Sequence, residues 1–572
     1  MRTSDWIARF LAAQRVEAVY EVAGGMIANF VDALHRDGQV RIVACHHEQG
    51  AGFAAEGHAR MNGIPGVAMG TSGPGAINLL TALGSCHFDS TPAVFITGQV
   101  NRSEQKRDRP IRQLGFQETD VVAMAAPIAK AAIRVETAEA IPKMLTEAFA
   151  LACAGRPGPV LVDIPLDLQL AEIEEPPPEG PAPIDTVGNP PLSEEAIARV
   201  LEDFARAERP LILAGGGLRA GRAVEGFRQL VDRLGVPVVN SLMGVDALPF
   251  DHPLRVGMIG TYGNRWANIA LSRCDALLVL GSRLDIRQTG ADTEAFVTGR
   301  TIHHVDVDPG EVNNRITGSQ ALIAPLSVAI PALAEAAADS PGETYESWSN
   351  EIAELTLQWP DTGELPGIEG INPNLLMHQI SNEAAAAYVA DVGQHQMWAA
   401  QSLELSGEQR FLTSGGMGAM GSALPLAVGA AVASSAPVVM IAGDGGFQLN
   451  IQELQTVARN EMPVKMVVLD NGCHGMVRQF QESYFDGRYQ STVWGYSAPS
   501  FVAVANAYGI PARRVEEPSD VAAAVEEMWA TEGPCLLEVA IDLNANAYPK
   551  IAFGHPISEM EPFVEPRAME ST

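Results

Sequence analysis

At 572 residues, 47% of them hydrophobic and 19% charged, the chain is too long for one core, and about three globular domains are expected. The formal charge of −31 argues against nucleic acid as a partner, and no apolar run of about 18 residues offers a membrane span. Cys45, Cys86, Cys153, Cys274, Cys473 and Cys535 form no CxxC pair, and the start of the chain reads as an amphipathic helix with no secretory h-region. A reduced, cytoplasmic protein is the expectation.

Residues 1–170 alternate short apolar runs with helical patterns. Strands are expected at Ala18–Val22, Arg41–Cys45, Val67–Gly70, Ala93–Thr97 and Val160–Ile164, with helices over Gly50–Met61 and Ala76–Cys86. The second strand runs into His46-His47-Glu48-Gln49 and the third into Thr71-Ser72-Gly73-Pro74-Gly75. Glu172–Glu195 is acidic, Pro-rich and without a period, so it reads as an extended linker. A second domain, 193–340, has strand candidates at Leu211–Ala214, Val236–Asn240, Ala276–Leu280 and Thr301–Asp306. Asp339 to about Gly370 has only a weak period and reads as a bridge to a third domain, 371–550. The tail to Thr572, with Pro549, Pro556, Pro562 and Pro566, reads as a loop over the surface. The alternation predicts an α/β protein of three doubly wound parallel-sheet domains.

The third domain holds the most informative stretch. Val438–Ala442 is an apolar run that turns through Gly443-Asp444-Gly445-Gly446. An amphipathic helix is expected over Asn450–Asn460, then a β-branched strand, Val464–Leu469, ending at Asp470-Asn471. In a right-handed βαβ unit both strands end on one edge of the sheet, so Asp444 and Asn471 sit on neighbouring loops. One carboxylate and one amide oxygen suit Mg²⁺, which keeps few protein ligands and fills its octahedron with phosphate oxygens and water. The glycines admit backbone N–H groups close to an anion. Together these describe a site for a diphosphate held through a divalent metal.

On these residues the sequence resembles the thiamine-diphosphate-dependent 2-keto-acid enzymes, and within them the acetolactate synthase catalytic subunits. The shared marks run along nearly the whole chain: HEQGAGFAAEGHAR (47–60), TSGPGAINLL (71–80), FQETDVV (116–122), DVGQHQMWAAQ (391–401), SGGMGAMGSALP (414–425), GDGGF (443–447) and GMV (475–477). The resemblance implies three domains that bind pyrimidine, bind FAD in many members, and bind diphosphate with Mg²⁺. It implies that Asp444, Asn471 and the backbone oxygen of Cys473 hold Mg²⁺. The implied cofactor site comprises Val392, Gly393, Gln394, His395, Gly443, Gly445, Gly446, His474, Gly475, Met476 and Val477, with Met420 as a wedge under the cofactor and the Gly418 carbonyl accepting from its amine. Glu48 is the implied proton-relay carboxyl on the pyrimidine ring. As a bare sequence feature it could equally be a helix N-terminal charge, and His46 and His47 lack an evident third metal ligand. Gln117, after Phe116, is implied near the reaction centre, and Lys130 is an expected anion partner with a surface charge as the alternative.

The resemblance also implies a homodimer, with Glu48 and Asp444 of one site on different subunits. A tetramer and a regulatory subunit stay open. FAD is an open second cofactor, because Gly215-Gly216-Gly217, Gly260, Gly281, Arg283, Arg287 and Asp306 fall at matching positions, while Leu284–Gly290 departs from the usual pattern. Phe480 stands where these enzymes typically have Trp, which bears on the acceptor. The expected activity is decarboxylation of pyruvate and transfer of its two-carbon unit to a second carbonyl, giving 2-acetolactate when that carbonyl is pyruvate. The alternatives are an aldehyde or keto-sugar acceptor, simple decarboxylation, or a non-catalytic paralogue, which ought to lack a site residue.

Overall fold

The computed structural model describes residues 1–177, 180–181, 191–338 and 345–563, so much of the expected linker, the start of the expected bridge, and Pro566 lie outside the described residues. Each domain is built on a six-stranded, all-parallel sheet. The first contains β1 (Ala18–Glu21), β2 (Arg41–Ala44), β3 (Gly66–Gly70), β4 (Ala93–Gln99), β5 (Ala131–Arg134) and β6 (Pro159–Pro165), in the order β2-β1-β3-β4-β6-β5. The second contains β7 (Pro210–Ala214), β8 (Val238–Asn240), β9 (Arg255–Met258), β10 (Ala276–Leu280), β11 (Thr301–Asp306) and β12 (Gln320–Ile323), ordered β12-β11-β10-β7-β8-β9. The third contains β13 (Ala387–Ala390), β14 (Arg410–Leu412), β15 (Val438–Gly443), β16 (Val464–Asp470), β17 (Ala512–Val515) and β18 (Cys535–Ala540), ordered β14-β13-β15-β16-β18-β17.

Counted from its own first strand, the third sheet repeats the order of the first. The central sheet instead follows the 3-2-1-4-5-6 order of dinucleotide-binding folds. Its middle strands are continuous apolar runs, buried on both faces as a helix-covered parallel sheet requires. Strand order reverses between β1 and β3, between β7 and β10, and between β13 and β15. The crevice outside such a switch point is where doubly wound sheets take ligands.

The first and third domains share one core. The Glu48–Asn62 helix crosses the Ala423–Val432 helix so closely that a Cβ on Gly57 would run into the Leu426 carbonyl, and one on Gly429 into that of Ala54. Small residues at the crossing allow the approach.

Two sequence expectations change. The weak-period stretch contains a helix, Glu346–Gln358, whose Trp348, Ile352 and Leu355 pack into the core under the central sheet. The period was real but only one residue wide per turn. The described part of the tail does more than loop over the surface: Lys550–Ile551 pairs with Met560–Glu561, and Ile551, Ile557 and Met560 enter that same core. Arg265 fastens it, pairing with Glu364 while donating to the carbonyls of Met560 and Pro562.

Candidate active site

The diphosphate half of the site lies across the β13/β15 switch point and the end of β16. Gly443 pairs with Leu469, so Asp444 and Asn471 follow neighbouring strand ends. Burial pushes the Asp444 carboxyl up to about 7; the Tyr496 hydroxyl, donating to Oδ2 at 3.0 Å, opposes the rise and nearby Asp470 adds to it. A carboxylate penalised in this way gains from a bound cation. Asn471 donates from Nδ2 to Gln394 Oε1 at 3.1 Å, while its Oδ1 accepts from the Cys473 N–H at 3.3 Å. Among the described residues no group of three or more His, Cys, Asp or Glu could hold a metal. The donor set of one carboxylate and one amide fits a Mg²⁺ that shares its shell with phosphate.

His395 supplies a second buried polar group beside the same turn. Burial pushes its imidazole down to about 3, so it is neutral, and Nε2 has no hydrogen-bond partner although it is fully enclosed. The ring lies against Gly393 and Gly443, where a Cβ would come within 2.9 Å of it. His474, also lowered by burial, packs at a tilt of 57° against Tyr496, ring centroids 4.4 Å apart. Gly445 and Gly475 are required by close approach, since a Cβ on the first would meet the His474 ring and on the second Gln394 Oε1. Beyond them Met420, Leu449, Val477 and Phe480 are half-exposed. Asp391 ties three segments together: it accepts from the N–H groups of Val392 and Gly421 and presses against Gly446.

The expected Asn450–Asn460 helix is broken. Gln448–Glu453 is a tighter turn with non-helical geometry at Asn450, and only Leu454–Arg459 is α-helical. Two tertiary demands override local propensity. Asn450 Nδ2 donates to the Gly421 carbonyl at 2.8 Å and to Gln49 Oε1 at 3.0 Å. Buried Glu453 accepts from the backbone N–H groups of His46 (3.0 Å) and His47 (3.1 Å). The third domain therefore holds the loop that presents Glu48.

Glu48 opens its helix at the end of β2, and Oε2 accepts from Asn78 Nδ2 at 2.9 Å, within its own domain. Gly75 lies beside Oε1, and Gly73 beside Gln117, so Glu48 and Gln117 flank one loop. Gln117 has φ 66°, left-handed backbone of the kind stored at functional loops, and Phe116 next to it is 80% exposed. Lys130 is not brought to this group. It precedes β5, at the sheet edge opposite the strand ends, and its ammonium donates to the carbonyls of Ala154 (2.5 Å) and Arg156 (2.8 Å). Glu453, Asp391, Asn78 and Tyr496 were not singled out from sequence. Asp391 and Asn78 stand inside DVGQHQMWAAQ and TSGPGAINLL, and Glu453 stands in the Gln452-Glu453-Leu454 run after the glycine turn.

A separate cavity of about 1060 Å³ opens at the β7/β10 switch point. Gly216, Gly217, Gly281, Arg283, Arg287 and Asp306 line it, as do Asp89, Arg156, Gly415 and Gly416 from the other two domains. Gly215 packs directly on the Gly281 carbonyl.

The comparisons with known proteins agree with this geometry. The chain matches three family models in the order of its domains. These are the N-terminal TPP binding domain of thiamine pyrophosphate enzymes over residues 1–124, the central domain over 197–333, and the C-terminal TPP binding domain over 391–539. The chain belongs to the thiamine pyrophosphate enzymes. Within them it falls among the acetolactate synthase large subunits. It is 40% identical to the acetolactate synthase isozyme 2 large subunit of Escherichia coli (strain K12), over 98% of this chain and 99% of the other. It is 36% identical to the acetolactate synthase large subunit of Corynebacterium glutamicum, over 97% and 89%. It is 38% identical to a probable chloroplastic acetolactate synthase 2 of Oryza sativa subsp. japonica, over 96% and 84%. No helix among the described residues is long and apolar enough to cross a membrane.

Proposed function

We propose that the chain decarboxylates pyruvate and joins the two-carbon unit to a second carbonyl, giving 2-acetolactate when the acceptor is also pyruvate. Thiamine diphosphate, when bound, supplies a nucleophilic thiazolium carbon and an electron sink. The observation that carries the reading is buried Asp444 beside Asn471, next to a His395 nitrogen with no partner. Asp444, Asn471 and the Cys473 carbonyl would hold Mg²⁺; Gln394, His395 and His474 would meet the diphosphate, and Met420 and the Gly418 carbonyl the rings. Glu48 would hold and move a proton at the ring nitrogen of a bound pyrimidine. Gln117 orients the substrate carbonyl. Incubating the purified protein with pyruvate, thiamine diphosphate and Mg²⁺ accumulates 2-acetolactate; acetaldehyde or no turnover contradicts the reading.

Half-exposed Phe480 supports a second reading of the acceptor. Its ring contacts Tyr484 at 4.6 Å and Phe485 at 5.7 Å, forming an apolar wall just past the cofactor loop that suits an aldehyde. A competition between pyruvate and an aldehyde distinguishes the two.

Each half-site exposes apolar side chains, Ile77 and Phe116 on one, Met420 and Val477 on the other. This supports a second copy of the chain covering them, with Glu48 of one copy meeting Asp444 of the other. The cavity in the central domain, with its dinucleotide-fold strand order, supports FAD, which visible flavin absorbance of the purified protein tests. The large-subunit names of two relatives support a smaller partner subunit.

A further inference from the structure

The loop 413–421, which carries Gly418 and Met420, is held by the first domain through charged groups that have no part in the reaction proposed above. Asp89, at the end of the Leu80–Phe88 helix, accepts from the N–H of Gly415 with Oδ2 (3.1 Å) and of Gly416 with Oδ1 (2.6 Å). The approach is so close that a Cβ on Gly416 would lie 2.9 Å from Asp89 Oδ1. Arg60 donates to the Thr413 carbonyl at 2.6 Å, and the Ser85 hydroxyl lies 3.4 Å from that of Ser414. Behind them Glu56 is wholly buried, 3.7 Å from Arg60, with neither carboxylate oxygen in a well-formed hydrogen bond and the Ser85 hydroxyl alongside. Glu56 and Arg60 stand on the helix that begins at Glu48, so one rigid element carries both the relay carboxyl and the anchor of the loop.

We propose that Asp89, Arg60 and Glu56 form a buried clamp that positions the 413–421 loop, with Asp89 as the positioning residue and Glu56 backing Arg60, which holds the Thr413 carbonyl. The role in cofactor binding rests on the reading of Gly418 and Met420 given above; the clamp itself does not. Glu56 is fully enclosed and its ion pair with Arg60 is long, at 3.7 Å, so burial favours its protonated form. Burial, and then the Asp89 charge, push Glu56 up to about 8, against Arg60 and Ser85. Cys86 also faces Glu56, and Arg283 faces Asp89 across the cavity.

The test is hydrogen exchange of backbone amides in the full-length protein, at matched flavin content, read together with thiamine diphosphate affinity in Mg²⁺. In Asp89→Asn one amide oxygen replaces two acceptors, so peptides spanning 413–421 exchange faster while those of the Val224–Leu234 helix do not, and the cofactor binds at least about tenfold more weakly. In Glu56→Gln, a neutral mimic of similar shape, the loop keeps its protection at pH 7. Wild type loses that protection as the pH passes about 8, and the variant does not. Unchanged loop exchange in Asp89→Asn, or the same pH response in Glu56→Gln, overturns the clamp. Wild-type protein that fails to bind thiamine diphosphate would overturn the cofactor reading instead, and the exchange result would still judge the clamp.

Discussion

The first and third domains share a strand order and a switch point, yet their strand ends do different work. At the third, a buried carboxylate, an amide and a ring of close-packed glycines leave unmet charge and an unmet imidazole nitrogen. At the first, the strand ends carry the Glu48 carboxyl, apolar side chains and a strained Gln117. On the proposed function, one scaffold thus supplies a binding face and a reacting face. The difference lies in loop chemistry, since the sheets match strand for strand.

Substitutions on the two faces ought to separate binding from rate. Asp444→Ala abolishes Mg²⁺-dependent binding of thiamine diphosphate, seen by calorimetry, and turnover with it. Glu48→Gln keeps that binding but lowers kcat by about 10²–10⁴-fold, the range for a lost proton relay; a variant at full turnover would remove Glu48 from the chemistry. Glu453→Ala unseats the loop that joins the faces. It leaves the part-buried His46 and His47 N–H groups without their shared acceptor, costing about 1–3 kcal/mol in denaturant unfolding. Phe480→Trp shifts the ratio of acceptors used by on the order of tenfold in kcat/KM, as one added ring in a pocket does.

The last effect is set by pH. Glu56 is held protonated up to about 8 in the folded protein against an ordinary 4.5, so the native state binds the extra proton between those values. Stability then falls as pH rises through that window, by at most about 1.4 kcal/mol per unit for one isolated group and by less here because Asp89 shares the charge. Glu56→Gln removes the slope, and its advantage in Tm over wild type grows from pH 5 to pH 8 and then stays level.

The binding face was legible in the sequence because it is local: Asp444 and Asn471 are tied by one βαβ unit, and glycine spacing announces the turn. The reacting face was legible less well. Glu48 was readable, but what fixes it comes from Asn78, Asn450 and Glu453, the last two about four hundred residues away. The same distance explains the broken helix at Asn450, where two tertiary hydrogen bonds outweigh a sound amphipathic pattern. In the central sheet, β9 and β12 are four-residue strands with little periodicity, and without them the dinucleotide-fold order could not be seen. Lys130 was placed by its charge alone, and the carbonyls that hold it belong to the loop after the next helix.

The claim that the two faces meet across copies is tested most directly by mixing Glu48→Gln with Asp444→Ala after each has been dissociated. A mixed pair keeps one site with both wild-type residues, so random reassociation restores about a quarter of wild-type acetolactate formation. No recovery above the separate variants, with mixed pairs shown to have formed, would contradict it.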